Sequence, residues 1–278
     1  MSRPVTLSRV LILPLAACSD YDLKGIDEPE GGAPADTGVS VRDTAEPEPD
    51  TGAVPDDEVD LGTATAVIYL NTEDTLYAWD PETGVTEVGR FSDPAARMTD
   101  IAIDMAGTMV GIATNELYEI DARTGDLTFL CALEDWANGL TFLSDGRLVT
   151  AGADLLMVDR VTCAATPLSR GSGFQTSGDV VGIPGERLLW TVNSSGGDGL
   201  VEVDPDTGTA TLIGNLGVSS LWGVGYSDGL LYGFSANEEV VVIDPHTATV
   251  SSRAPLPGAW WGAATNPVRW SSTGPTTP

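Results

Sequence analysis

Three acidic residues are the side chains in this sequence whose type and placement could support chemistry. Asp100, Asp104 and Asp179 belong to predicted inner strands of a repeat fold and could meet near its axis, where a carboxylate could act as a general base or help to bind calcium. Inward carboxylates also cap loops by accepting backbone N–H groups, and the residues alone favour that structural role. We therefore keep Asp100 and Asp179 as weak calcium candidates and predict no catalytic residue and no other cofactor.

The single histidine narrows the enzyme classes that remain. His246 lies two residues after Asp244, at a repeat position filled in the other copies by Glu82, Arg123, Val161 and Asp206. We therefore interpret it as a variable turn residue. Catalytic triads, Cys–His pairs and His-ligated metal sites all need a placed imidazole, so these designs are disfavoured. The sequence also contains no phosphate-binding loop and no dinucleotide-binding fingerprint.

Large aromatic residues form the strongest candidate binding surface. They occur in the segments that lead into successive inner strands of a repeat fold, at Trp136, Phe174, Trp222, Trp260 and Trp261. If these side chains meet around the mouth of a ring, they could bind sugar rings or partner side chains. The alternative is that they wedge between repeats as part of the core. Their exposure in a structure distinguishes the two.

Five copies of one repeat position these residues. Each copy has an apolar run, an Asp, a short turn and a Thr-rich strand, and the Asp residues are Asp80, Asp121, Asp159, Asp204 and Asp244. Their spacings of 41, 38, 45 and 40 residues are close to the period of about 40–50 residues expected for four-stranded propeller blades. We predict that each Asp opens a turn by accepting backbone N–H groups and does not bind metal.

The strand pattern predicts a closed ring. The first copy has three β-type runs, at 66–70, 75–79 and 85–88, and lacks an inner one, whereas 261–265 matches the inner run at 222–226 and then stops. If this last run completes the first blade, no sheet edge is left unpaired. We therefore predict an all-β, five-bladed propeller of four-stranded antiparallel blades over residues 62–270.

Glycines mark the inner strands. Gly139, Gly178, Gly223 and Gly262 recur just inside the first strand of each unit, where blades converge and only a small residue lets backbones approach, and Asp100 takes that place in its unit. The Gly-rich run at 194–199 is interpreted as a long hairpin loop that accounts for the spacing of 45 residues.

The repeat resembles a known group of proteins. The pattern Leu-Tyr-x-Ile-Asp-x-x-Thr-Gly-x-x-Thr, present at 117–128, is similar to the repeats of bacterial surface β-propellers of the broad YVTN, NHL and quinoprotein-like group. Blade 3 departs from the pattern, since Cys163 replaces the turn glycine. The resemblance covers residues 62–270 and implies the fold. It leaves function open, because such propellers include binding scaffolds, lyases, lactonases and cyclotransferases.

The N-terminus predicts export and attachment to a membrane. Residues 1–17 have basic residues, a short apolar stretch and small residues before Cys18, as in a secretory signal. The Leu-Ala-Ala-Cys run is similar to a bacterial lipobox, which implies that Cys18 is the lipidated first residue of the mature protein. An ordinary signal peptide is the alternative. Residues 18–61 are acidic and rich in Pro, Gly and Thr, which predicts a disordered tether, and 271–278 a flexible tail.

Lipidation of Cys18 would leave an even number of cysteines. The sequence has three, so Cys131 and Cys163 would remain as a pair. They lie in successive blades, but Cys131 is six residues beyond Gly125, the turn position that Cys163 occupies in its own repeat. The repeat register therefore does not place them side by side. A disulfide and two separate buried thiols both stay open.

Charge restricts the partners. The sequence has 13 Lys and Arg residues against 41 Asp and Glu residues, a formal net charge of −28. Such a chain is repelled by nucleic-acid phosphates and anionic lipid head groups, so we expect no nucleic-acid binding and membrane contact only through the lipid anchor. We expect a monomer in the cell envelope, at the outer membrane or cell surface.

These features favour a non-catalytic role. The sequence predicts a binding or scaffold propeller whose aromatic face is presented to an envelope protein or a glycan. The alternative is a calcium-dependent propeller enzyme of the lactonase or cyclotransferase type that uses Asp100 and Asp179.

Overall fold

The computed structural model describes residues 66–169, 172–185 and 187–268. All of them fall within the segment predicted to form the propeller. Cys18 and the predicted signal, tether and tail lie outside the described residues, so those assignments stay predictions. No helix in the described ranges has the length and apolar character needed to cross a membrane.

The described residues form twenty strands in five four-stranded sheets. Blade 1 contains β1 (Ile68–Asn71), β2 (Thr75–Asp80), β3 (Gly84–Arg90) and β20 (Gly262–Thr265). Blade 2 contains β4 (Asp100–Ile103), β5 (Met109–Ala113), β6 (Glu116–Ile120) and β7 (Leu127–Ala132). Blade 3 contains β8 (Gly139–Phe142), β9 (Leu148–Ala151), β10 (Leu155–Val158) and β11 (Ala165–Ser169). Blade 4 contains β12 (Thr176–Ile183), β13 (Arg187–Ser194), β14 (Gly197–Val203) and β15 (Ala210–Asn215). Blade 5 contains β16 (Leu221–Ser227), β17 (Leu230–Ser235), β18 (Glu239–Ile243) and β19 (Val250–Pro255).

The C-terminal strand closes the ring. β20 pairs antiparallel with β1, with Thr265 opposite Ile68 and Gly262 opposite Asn71, so blade 1 is built from both ends of the propeller. The ladder joins the two ends and leaves no unpaired sheet edge at the junction. This confirms the predicted five-bladed, all-β architecture and its closure by the last strand.

Asp residues open the turn between the third and fourth strands of each blade. The Asp121 carboxylate accepts the N–H of Arg123 at 2.8 Å, and the N–H of Gly125 donates to the Asp121 carbonyl at 2.8 Å. The N–H of Arg123 holds the pKa of Asp121 below its usual value. The same carboxylate contact recurs in the other four blades, at Asp80, Asp159, Asp204 and Asp244. The predicted turn role is confirmed.

Glycines let the inner strands touch. A Cβ atom at Gly262 would lie 2.2 Å from Asp100 Oδ1, and one at Gly178 would lie 2.5 Å from the Leu221 carbonyl oxygen. No side chain fits at such distances, so the predicted need for small residues near the axis is confirmed. Farther out, apolar side chains fill the space between blades. Trp79 of blade 1, for example, packs edge-on against Phe234 of blade 5, with ring centroids 5.1 Å apart.

The Gly-rich run of blade 4 forms a tight hairpin, and its interpretation as a long loop is wrong. Ser194 pairs with Gly197 across a two-residue turn, and β13 and β14 contain 8 and 7 residues. The larger repeat spacing in this blade therefore comes from longer strands. Gly196, in the turn, has a φ of +86°, a conformation that glycine adopts without steric cost.

Cys131 and Cys163 form a disulfide, with 5.8 Å between their Cα atoms. Cys131 belongs to β7, the outermost strand of blade 2, and Cys163 lies in the turn between β10 and β11 of blade 3. This bond could not be predicted from the repeat, because the repeat gives only the position of each cysteine within its own blade. Contact depends instead on how the edge of one blade meets a turn of the next.

Candidate functional site

One residue from each blade lines a pocket at the ring axis. The lining residues are Thr99, Asn138, Gly178, Trp222 and Trp261, and they surround a cavity of about 240 Å³. Each lies at or near the start of an inner strand, so the pocket opens on the face of the ring where those strands begin. We call it the axial pocket.

Two indole rings form its apolar wall. The rings of Trp222 and Trp261 meet edge to face, with centroids 6.5 Å apart and an angle of 89° between their planes. Trp222 is 38% exposed, and Trp261 is half-buried. The pairing of β16 with β17 shifts register between Leu221 and Gly223, so Trp222 lies on a bulge without a ladder partner. Bulges of this kind redirect a side chain, which accounts for its exposure.

An ion pair borders the indole of Trp261. The Arg97 guanidinium carbon lies 5.7 Å from the centroid of that ring, within the range of a cation–π contact. Arg97 also donates to the Glu73 carboxylate through its Nε at 2.9 Å. The wall is held in place from the other side as well, because the N–H of Trp261 donates to the Asn71 carbonyl at 2.9 Å.

The opposite wall is polar. The Thr99 hydroxyl donates to the Ile112 carbonyl at 2.9 Å and is therefore engaged within the protein. The N–H of Asn138 donates to the Ala151 carbonyl at 2.9 Å, which fixes the backbone there. The side-chain oxygen of Asn138 is buried and has no hydrogen-bond partner among the described residues. Because this oxygen is buried, a ligand in the pocket does not reach it.

Two carboxyl groups lie directly beneath the pocket. Asp100 and Asp179 are fully buried and immediately follow the pocket residues Thr99 and Gly178 in the chain. Their side chains lie within hydrogen-bonding reach of each other. Together they accept N–H groups from the inner strands of all five blades, namely those of Ile101, Leu140, Val180, Val224 and Ala263. The pair therefore ties the blades together at the axis.

A bulge brings Asp179 into this position. The pairing of β12 with β13 shifts register between Thr176 and Val180, which leaves Asp179 outside the ladder. The Thr191 hydroxyl replaces the lost partner, since it accepts the N–H of Asp179 at 3.0 Å and donates to its carbonyl at 3.0 Å. The backbone is thereby satisfied while the side chain reaches the axis.

The carboxyl pair retains a proton at neutral pH. Burial raises the pKa of Asp100 well above its usual range, and the nearby charge of Asp179 raises it further. Burial also raises the pKa of Asp179 to about 7, against the hydrogen bonds from Asp100 and the Val224 N–H, which lower it. Two adjacent carboxylates in a low-dielectric interior cannot both ionise. One proton is therefore shared between the Asp100 and Asp179 carboxyl groups.

A third acceptor lies beside the pair. The side-chain oxygen of Asn71 is buried and has no partner among the described residues. A Cβ atom at Gly262 would lie 2.6 Å from that oxygen and 2.2 Å from Asp100 Oδ1, so the two acceptors are neighbours.

The carboxyl oxygens of Asp100 and Asp179 do not form a site that fits calcium. Calcium takes six to eight oxygen ligands, and at the axis the carboxyl oxygens already accept backbone N–H groups. N–H groups that point at a site favour an anion there, not a cation. Across the described ranges, no three His, Cys, Asp or Glu side chains come close enough together to hold a metal ion. We derive no calcium chemistry at Asp100 and Asp179.

The five predicted aromatic residues do not form one surface. Trp222 and Trp261 line the axial pocket, whereas Trp136 is 52% exposed and does not line it. Phe174 is half-buried against the core between blades 3 and 4. Trp260 is a correction: it is only 2% exposed, packs edge-on against Tyr77 at 5.3 Å and donates its indole N–H to the Leu256 carbonyl. It belongs to the core and cannot contact a ligand.

Asp104 and His246 lie away from the axial pair. Asp104 was expected to meet Asp100 and Asp179, but it caps the turn after β4 by accepting the N–H of Thr108 at 2.9 Å, and it pairs with Arg160 at 3.0 Å. Inner strands have two ends, and Asp104 follows the end opposite to the pocket. His246 is exposed in the Asp244 turn, where sequence analysis placed it.

The sequence interpretation missed the polar half of the pocket. Thr99 and Asn138 each precede the small or acidic residue that begins an inner strand, and Trp222 and Trp261 hold the same place in their blades. This shared position was the available signal. Their types differ from blade to blade, so a search for recurring residues did not find them.

Comparison with known proteins identifies no family. No family model matches this sequence, and no curated protein matches it. Solved structures that resemble it include BamB from Moraxella catarrhalis, with 13% identity, a TM-score of 0.39 and coverage of 67% of this chain and 71% of that one. A gluconolactonase from Xanthomonas campestris has 15% identity, a TM-score of 0.44 and coverage of 57% and 61%. The WD40 repeats of RRP9 have 9% identity, a TM-score of 0.45 and coverage of 67% and 59%.

These similarities concern the general propeller fold alone. Proteins with different activities share it, so the fold assigns none of them to this chain.

Proposed function

We propose that this chain is a lipid-anchored protein of the cell envelope whose propeller acts as a non-catalytic binding module for a protein or a glycan. The observation that carries the proposal is the axial pocket, where Trp222 and Trp261 present apolar surface beside the polar residues Thr99 and Asn138. Small concave sites with aromatic walls and a few polar groups are typical of ligand binding.

The disulfide supports a place outside the cytoplasm. Structural disulfides persist mainly in oxidising compartments. The bond between Cys131 and Cys163 is therefore consistent with export, which the signal-like residues 1–17 predict independently. Lipidation of Cys18 would hold the propeller at the membrane at the end of an acidic tether.

The chemistry of the axis supports a non-catalytic role. Asp100 and Asp179 are fully buried, and their oxygens are occupied by N–H groups from the blades. A general base must reach the proton that it abstracts, and these carboxyls are engaged in joining the ring.

A binding screen tests the pocket. The full chain is immobilised and presented with a glycan array and with purified envelope proteins, and each ligand found is measured again with Trp222→Ala and Trp261→Ala. We expect both variants to lose at least about ten-fold in affinity while the melting temperature holds, as for aromatic hot spots. Trp136→Ala, which removes an exposed indole outside the pocket, is the matched control. Binding that survives both pocket variants, or variants that unfold, contradicts the proposal.

A fractionation experiment tests the anchor. The wild-type protein should partition with membranes and carry a mass increment from lipid on Cys18, whereas Cys18→Ser should be released and unmodified. A wild-type protein that is equally soluble rules out lipidation.

The alternative function is a calcium-dependent lactonase or cyclotransferase. The observation that favours this alternative is the burial of Asp100 and Asp179 beneath a pocket. The N–H groups around the pair argue against it, and its calcium dependence is tested below.

A further inference from the structure

The axial pocket has features that select for positive charge. Resting on the proposed binding function, we infer that the pocket takes one cationic side chain, a guanidinium or an ammonium group, presented by a basic segment of a protein partner. Neutral glycans, the other class of occupant in the proposed function, then become an outcome of the test.

The first argument is the arrangement of the indoles. Two indole rings, packed against each other at 89°, line the same cavity. The face of an indole attracts cations more strongly than any other natural aromatic side chain does. The protein already makes this contact once, because the Arg97 guanidinium lies over Trp261. A guanidinium is therefore accommodated at this wall.

The second argument is the charge of the whole chain. A formal net charge of −28 produces a negative potential that raises the local concentration of cations and repels anions. Arg97, the positive group over Trp261, is paired with Glu73 and so contributes little net repulsion. A neutral ligand would receive no steering from this field.

The size of the cavity suits a single side chain. Its volume of about 240 Å³ is below the range of about 300–1,000 Å³ typical of pockets for drug-sized ligands, so one side-chain head group is a suitable occupant.

A matched pair of peptides tests the inference. The full chain is titrated with acetyl-Gly-Gly-Arg-Gly-Gly-amide and with the same peptide carrying citrulline, which keeps the shape of arginine and removes its charge. We expect the citrulline peptide to bind about ten-fold more weakly or worse, as loss of a desolvated cation–π contact of 1–2 kcal/mol implies. Trp222→Ala should weaken the arginine peptide by a similar factor, and Trp136→Ala should not.

Trp222→Leu is the second variant, because it keeps apolar surface in the pocket and removes the indole face. It should weaken the arginine peptide several-fold and the citrulline peptide less. This variant keeps the test decisive if Trp222→Ala disturbs folding.

Several outcomes overturn the inference. Equal binding of the two peptides means that charge is not recognised. Arginine-peptide binding that is unchanged in the pocket variants places it elsewhere on the acidic surface. A neutral methyl glycoside that binds in a Trp222-dependent way, while the arginine peptide does not bind, rejects the cation and leaves the proposed binding function standing. If neither the peptides nor any ligand from the screen depends on Trp222 or Trp261, both proposals fail.

Discussion

Asp100 and Asp179 share one proton at the propeller axis and together accept an N–H group from every blade. The folded ring holds that proton because burial raises the pKa of both carboxyls. In the unfolded chain each would titrate near its ordinary value of 3.8. Ring closure and protonation are therefore linked.

The free energy of unfolding should fall as pH rises from about 4 to about 7. In this window the folded protein keeps protons that the unfolded chain releases, so the unfolded state binds fewer protons and stability decreases by roughly 1.4 kcal/mol per pH unit for each proton retained. Urea unfolding across pH 4–9 measures how steeply the free energy of unfolding changes with pH. Asp100→Asn should reduce it, although the amide is less stable at low pH because its NH₂ group faces a backbone N–H.

Glu87→Gln is the control for that experiment. Glu87 is an exposed residue of β3, and its loss should leave the slope as in the wild type. A wild-type stability that rises steadily between pH 4 and pH 7, or a slope unaffected by Asp100→Asn, contradicts protonation of the axial pair.

Gly262→Ala should destabilise the ring. Its Cβ atom would lie 2.2 Å from Asp100 Oδ1 and 2.7 Å from the Asp100 Cα, so blade 1 or blade 2 must shift. We expect a loss of about 2–3 kcal/mol or more in unfolding free energy, as for overpacked sites. Gly199→Ala is the matched control in a strand, where the nearest atoms belong to side chains and lie 3.2 Å away or farther. Equal stability of the two variants would show that the inner strands are not in close contact.

Removing the disulfide should lower stability by about 3–4 kcal/mol, given the 32 residues between Cys131 and Cys163. Cys163 also has a φ of +56°, in the left-handed region where the equivalent residue of blade 2 is Gly125. Cys131→Ser with Cys163→Gly should therefore be about 1 kcal/mol more stable than Cys131→Ser with Cys163→Ser. Urea unfolding of the two double variants, beside the oxidised and reduced wild type, measures both effects. Identical stability of oxidised and reduced protein contradicts the first expectation.

Calcium should leave the melting temperature unchanged. The axial carboxyls are occupied by backbone donors, so an added cation has too few free oxygens to bind. Thermal unfolding in millimolar calcium and in excess chelator provides the comparison. A rise in melting temperature with calcium that disappears in Asp100→Asn would instead favour the enzyme alternative.

Local patterns in the sequence were sufficient for the turns and for the number of blades. The Asp121 turn, for example, is made by a carboxylate and N–H groups two to four residues away, so a short motif determines it. Closure was also predictable, because the unmatched run at the C-terminus and the missing inner strand of the first copy imply each other.

Neighbouring residues with different roles could not be distinguished from local patterns in the sequence. Trp260 and Trp261 are neighbours of the same type, yet one is core and the other lines the pocket. Neighbouring residues of a strand face opposite sides, so the roles of these two tryptophans can be assigned only when the first residue of β20 is known. The bulges that redirect Trp222 and Asp179 are likewise departures from the repeat, and they appear only in the pairing with the neighbouring strand.

The amino-acid order by itself determined the repeating unit, its turns and the closed five-bladed ring, since each depends on interactions between residues close in the chain or on a period that can be counted. Contacts between blades were decided only in three dimensions: the disulfide, the proton-sharing Asp100 and Asp179, and the pocket that takes one residue from each blade. Their partners lie 32 or more residues apart, and the distances between them depend on how whole sheets pack around the axis.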